Sequence, residues 1–261
     1  MKFMSEESNN EESDPELIQQ PEEIEIEKEE EEEEEENTKE KIDALIEEVK
    51  ITKKNKDRAL LIDQLSEFKS EFKVQKLLGD IALNDSYAIC RAKAVSYLAE
   101  VINEDEVKRV IVESLKDSSP KVRLWAVWAL RTIVHENEIL EELLSRLRYS
   151  EKSNRVKLWL IRTLSDQVAN EDVVRVFIKE LETKPNLETR KLILYYLLQR
   201  LDNPEICYKL ANYVMQETNK EIKLEIVKKL KTIENEDVEY SLNKLSKLEK
   251  DEEILSLLNS S

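Results

Sequence analysis

All three tryptophans of this sequence, Trp125, Trp128 and Trp159, fall within one short stretch, with Arg162 and Tyr195 following them. Their chemistry is that of binding. An indole or phenol brings wide apolar area at modest entropic cost, and a guanidinium adds charge, so these types dominate the centres of protein interfaces. Groups suited to catalysis are fewer. His135, followed by Glu136, is the single histidine, and such a residue at a helix end reads as a solvent-exposed cap or dipole partner rather than a ligand. Cys90 and Cys207 lack the close spacing of a zinc site and read as small helix residues. No nucleophile, base and orienting group come together. Catalytic, metal and cofactor-binding residues are therefore left unassigned, and no cofactor is expected. Phosphate loops and dinucleotide folds need two or more glycines, and this chain has only Gly79.

The elements that must position these residues show in a repeat. Arg58, Arg91, Arg123, Lys157, Arg190 and Lys223 are each followed seven positions later by leucine, at intervals of 33, 32, 34, 33 and 33 residues. A period in this range marks a solenoid of stacked helical units. With the basic residue as zero, position +3 holds Leu61, Ala94, Ala126, Leu160, Ile193 and Ile226, and position +4 holds Ile62, Val95, Val127, Ile161, Leu194 and Val227. Positions +3, +4 and +7 share one helical face, so they should form the packing stripe of each unit's second helix. The columns at +2 and +5 point partly away from it. There stand Trp125 and Trp128, then Trp159 and Arg162, then Leu192 and Tyr195, with Arg131, Arg155 and Lys191 nearby. A role as fillers between adjacent helices weighs about evenly with a binding role for the tryptophans. Asn103, Asn137, Asn170, Asn203 and Asn235 are placed to cap the first helices. After six pairs, a first helix around Asp237 to Lys247 and a short one near Glu252 to Leu258 should close the stack.

The stretch from Asp117 through Pro120 and Arg123 to Trp125, Ala126, Val127 and Leu130 resembles a HEAT repeat, in particular the shorter HEAT-like form named after phycobilisome lyases. The resemblance extends over roughly residues 40–250 and implies an all-α, right-handed solenoid whose second helices line a concave face. Asp85 and Asp117 occupy the acidic position that such repeats pair with the basic column, whereas Glu151, Lys184 and Glu217 occupy it later, so the ladder of acid–base pairs is expected to be incomplete. The basic column is itself a candidate for phosphate contacts, but a structural role in the stack is favoured.

Charge divides the chain. Residues 1–37 hold 18 acidic and two basic residues, ending in an unbroken run from Glu29 to Glu36, while the remainder holds 40 acidic and 39 basic residues. The segment has too little apolar surface to offset its ordering entropy, so residues 1–38 are expected as a disordered acidic tail and 39–261 as the solenoid. The glutamates next to Asn37 can prolong the first helix transiently, against the repulsion of like charges. The longest apolar runs, such as Leu192 to Leu198, reach seven residues, well below the length of about 20 that crosses a bilayer. With two widely spaced cysteines and no signal-peptide pattern, a cytoplasmic location is expected.

These features converge on a non-catalytic protein–protein interaction scaffold or adaptor. Its concave face, through Trp125, Trp128, Trp159, Arg162 and Tyr195, would hold a helix or extended segment of a protein partner. The Glu-rich tail would suit a basic protein. The alternatives are a bilin-lyase-like enzyme subunit or tetrapyrrole binder, and, third, a nucleic-acid-binding protein regulated by its acidic tail. Nucleic acid is disfavoured by the near-neutral repeats and the acidic tail.

Overall fold

The computed structural model describes the backbone of residues 21–260 and the side chains of residues 33–260. Helices alternate along it as first and second members of stacked pairs: α1 (Pro21–Ile51) with α2 (Asn55–Leu65), α3 (Phe72–Asn84) with α4 (Ala88–Leu98), α5 (Asp105–Ser114) with α6 (Pro120–Leu130), and α7 (Asn137–Ser145) with α8 (Asn154–Ser165). Then come α9 (Glu171–Glu182) with α10 (Leu187–Leu197), α11 (Pro204–Tyr213) with α12 (Lys220–Leu230), and a closing unit of α13 (Glu236–Leu248) and the short α14 (Glu252–Asn259). No strand occurs among the described residues. The architecture is an all-α solenoid of six pairs and a helical cap.

The stripe at +3, +4 and +7 is the core. Every residue of the three columns is buried, and all six leucines, from Leu65 to Leu230, are wholly inaccessible. The second helices carry Ala92, Ala94, Ala126 and Ala129 where they meet, so α4, α6 and α8 pack more closely than the first helices of the same repeats do. Closer spacing in one layer bends the stack towards it, which puts the second helices from α2 to α10 on the concave side.

Local chemistry sets the helix ends. Asn170, Asn203 and Asn235 cap α9, α11 and α13 by accepting backbone N–H groups of the first turn. At α5 and α7 the cap is instead Glu104 and Glu136, each without a side-chain bond, so Asn103 lies one residue too early and Asn137 one too late. The side-chain caps of second helices belong to Ser119, Asn186, Asn219 and Asp251. The long interval of 34 residues also has a local cause. Its extra residue is absorbed after α7 in a π-helical turn, Arg146–Ser150, closed by the Glu151 N–H donating to the Arg146 carbonyl at 3.0 Å.

Of the acidic segment expected as a tail, residues 1–20 lie outside the described residues, while from Pro21 onward the chain is helical. Among the described side chains of α1, Ile42, Leu45, Ile46 and Val49 are the ones buried in the array. A helix anchored by those residues has already met the nucleation cost, so good helix formers such as Glu add to it turn by turn. Glu35 pairs with Lys39 one turn on, at 3.7 Å, and Glu33 to Glu36 stand exposed to water.

Candidate interaction surface

The basic column is used up inside the stack. Arg58 donates from Nε and Nη2 to Asp85 at 2.6 and 2.8 Å, Arg91 does the same to Asp117 at 2.6 and 2.8 Å, and Arg123 to Glu151 at 2.9 and 2.8 Å. Lys157 reaches Glu180 at 2.6 Å, Arg190 lies 3.1 Å from Glu217, and Lys223 donates to Glu249 at 2.7 Å. Each pair joins one repeat to the next. The ladder expected to be incomplete is therefore complete. Where Lys184 replaces the turn acid, Glu180 on the last turn of α9 supplies the carboxylate instead.

The first three rungs also fix their own turns. Arg58, Arg91 and Arg123 donate from Nη1 to the carbonyls of Thr52, Asp85 and Asp117, and the acids accept backbone N–H groups of Tyr87, Ser119 and Ser153 at 2.7 Å. Burial pushes the carboxyls of Asp85, Asp117 and Glu151 up, but their guanidinium and backbone donors prevail and hold all three below the ordinary carboxylate range. Glu249 is held down first by its bond to Lys223. The Arg190 rung is the least well made. Its Nε is close to Glu217 but lacks a hydrogen bond, and the Tyr213 hydroxyl donates to the same carboxylate oxygen.

With those cations bound, the residues at +2 and +5 separate into two kinds. Trp125 and Trp159 are half-buried and pack on the core, as fillers between helices do. Trp128 is 42% exposed and Tyr195 59% exposed. Trp125 and Trp128 meet edge to face, centroids 5.4 Å apart at 81°, so the half-buried indole holds its exposed neighbour. Arg162 is exposed, lies over the Trp159 ring at 5.6 Å, and forms no ion pair among the described residues. Tyr195 stands edge to face with the half-buried Tyr196 at 5.2 Å. The helices that carry them, α6, α8 and α10, are successive neighbours in the concave layer. The arrangement offers π-faces and, between them, a cation. Arg131 and Lys191, by contrast, lie within ion-pair distance of Asp166 and Glu221.

The other chemical candidates stay apart. His135 is exposed in the turn before α7. Cys90 and Cys207 are buried free thiols, in contact with the carbonyls of Asn55 and Leu201, and burial pushes both up. Among the described residues, no cluster of His, Cys, Asp and Glu is placed to hold a metal ion, and no helix is long and apolar enough to cross a membrane. Sequence reasoning missed Glu180 as a rung. It also missed exposed Leu60, which extends the +2 column to α2, and the cluster in which Lys93 and Tyr97 both bond Asp63. The +2 spacing could have found Leu60. Glu180 had no such signal, because it departs from the repeat register.

The sequence model for HEAT repeats matches residues 75–165. Among solved structures, the chain is similar to YibA of Escherichia coli, with 22% identity over 85% of this chain and 82% of that one and a TM-score of 0.54. It is similar to a Kap121p mutant at 14% identity, over 82% of this chain and 26% of that one, with a TM-score of 0.51. The complex of CpcE and CpcF of phycocyanin lyase from Nostoc aligns at 12% identity over 98% of each chain, with a TM-score of 0.44. No curated protein matches the sequence. At these identities the likeness to YibA and to the Kap121p mutant bears on the fold alone, which together with the repeat match is a HEAT-like α-solenoid.

Proposed function

We propose that the chain, a HEAT-repeat protein, is a non-catalytic scaffold or adaptor that holds a helix or extended segment of a protein partner on its second-helix face. The exposure of Trp128 and Tyr195 on either side of Arg162, which pairs with no acid among the described residues, carries this proposal. The basic column of the repeat is committed to the ladder, so Arg162 is left to meet a partner's carboxylate. Trp125 and Trp159 contribute by holding their neighbours rather than by direct contact. Two buried, free thiols support a reducing compartment such as the cytoplasm.

The test is affinity capture from the native cell with three variants, Trp128→Ala, Arg162→Ala and Tyr195→Ala. All three side chains are exposed, so the array should stay folded by circular dichroism. Truncating a central interface residue of these types costs about 2 kcal/mol or more, roughly a thirtyfold weakening. The captured partner should be lost from at least one variant. Retention by all three, singly and combined, would remove the site.

A further inference from the structure

On the outer side of the array, α3 and α5 leave between them a groove of about 560 Å³. Gly79, the chain's single glycine, lies in its wall within α3, where an added Cβ would stand 3.4 Å from Val110 Cγ2. The walls include Leu98, Val107 and Val110, and Phe72 and Leu83 stand at the two ends of α3's contribution. Those two are 67% and 41% exposed, although both line an apolar depression. They are three helical turns apart on the face that also carries Gly79, so a docked helix of about that length meets both.

The rim is acidic. Asp80, Glu104, Asp105 and Glu106 oppose only Lys76 and Arg109. Arg109 is engaged by its own helix, bonding the Asp105 carbonyl at 3.3 Å and lying 4.0 Å from Glu106. Glu104 occupies the N-cap of α5 without making a side-chain cap bond. Beyond Phe72 the surface stays net negative, because Glu71 lines a second depression with Glu34, Glu35, Lys39 and Ile42 of α1, where Lys39 is paired with Glu35. Apolar anchors and acidic surface thus run together along one path.

We propose that this groove docks a cationic amphipathic protein segment, with apolar side chains against Phe72 and Leu83 and Lys or Arg side chains against the rim and the Glu-rich part of α1. The acidic stretch raises the encounter rate and the groove supplies the specific contact. Nucleic acid is repelled by the same charges. This surface lies on the opposite layer from the aromatic patch, and the two stand or fall separately.

A fluorescein-labelled helical peptide of Leu and Lys, about 18 residues long, titrated with the full chain and followed by anisotropy, tests the proposal. The chain should bind it, and the double variant Phe72→Glu, Leu83→Glu should weaken binding at least tenfold. Changing Glu33, Glu34, Glu35 and Glu36 to Gln should weaken it several-fold and flatten its salt dependence, while Trp128→Ala should leave it unaltered. The proposal is overturned if the unaltered chain does not bind, if a Lys-only peptide of equal charge binds as well, or if the Phe72→Glu, Leu83→Glu variant, folded by circular dichroism, binds undiminished.

Discussion

Glu151→Gln should destabilise the array by about 3 kcal/mol. The Glu151 carboxylate is fully buried and is shared by two guanidinium groups that are themselves nearly covered, Arg123 with 9% and Arg146 with 13% of the side chain exposed. Oε1 accepts from Arg123 at 2.8 Å and from the Ser153 N–H at 2.7 Å, and Oε2 accepts from Arg123 at 2.9 Å and twice from Arg146 at 3.1 Å. Glutamine keeps the shape but turns one of these oxygens into a donor. Whichever way the amide lies, at least two bonds are lost and two cations remain in a site that no longer carries negative charge. Hydrogen bonds to charged groups are worth about 1.5–3 kcal/mol, and removing one partner of a buried pair costs about 3–5 kcal/mol. Relaxation of the less buried Arg146 towards water brings the figure to the lower end.

For a chain of this size, about 3 kcal/mol corresponds to a fall in Tm of about 6–12 °C. Because a repeat array can open locally, hydrogen exchange should show the loss first in the turns around Ser119 and Ser153, at the junction of α6 with α8. Glu113→Gln is the control. Its pair with Lys116, at 2.7 Å, has both side chains more than half exposed, and such pairs contribute about 0.2–1 kcal/mol. If Glu151→Gln unfolds within about 0.5 kcal/mol of Glu113→Gln, the ladder does not hold the repeats in register and its residues regain standing as a functional surface.

Other outcomes follow from single positions. Lys184 has φ of 54°, where a side chain is strained; Lys184→Gly should gain about 0.5–1 kcal/mol in urea unfolding, and Lys184→Val should lose at least as much. Gly79→Ala should stabilise α3 by about 0.5–1 kcal/mol, because the added methyl meets Val110 Cγ2 at 3.4 Å, the near edge of ordinary contact. Asp85, Asp117, Glu151 and Glu249 are all held below their ordinary values of 3.8 and 4.5 in the folded chain. The stability they contribute is complete above those values and is lost as pH falls through the depressed ones, so unfolding free energy should be level down to about pH 5 and drop steeply below about pH 4.

The packing stripe was legible because burial repeats with the period of the helix. Leu65, Leu98, Leu130, Leu164, Leu197 and Leu230 recur in the one register where the core lies. Cap positions were legible to within one residue, as Asn103 and Asn137 show, since a cap depends on where the backbone leaves the extended region and not on composition alone. The aromatic patch was half legible. Spacing put Trp125, Trp128 and Trp159 in two columns, but their difference in exposure depends on how closely α6 and α8 approach, which is a property of the stack. The outer groove was least legible, because its one sequence mark, Gly79, lies on a helix whose neighbour comes from another repeat.

The Lys157 rung shows why reading columns alone undercounts such a ladder. The repeat requires a carboxylate near the basic side chain, and a lysine four-carbon stem reaches a wider shell than a guanidinium that must meet its acid as a planar fork. Lys157 therefore accepts Glu180, one turn before the usual acidic position, as its partner and leaves that position free for Lys184 to make the left-handed turn. A guanidinium in its place would have to find fork geometry on the α9 side chain. Lys157→Arg should therefore weaken this joint, measured as a lower urea midpoint, and Arg91→Lys should weaken its own, because an ammonium cannot replace both fork bonds to Asp117 and the bond to the Asp85 carbonyl. What is repeated along this chain is the contact, and the residue that makes it can move along the helix by a turn as long as the partner is flexible enough to follow.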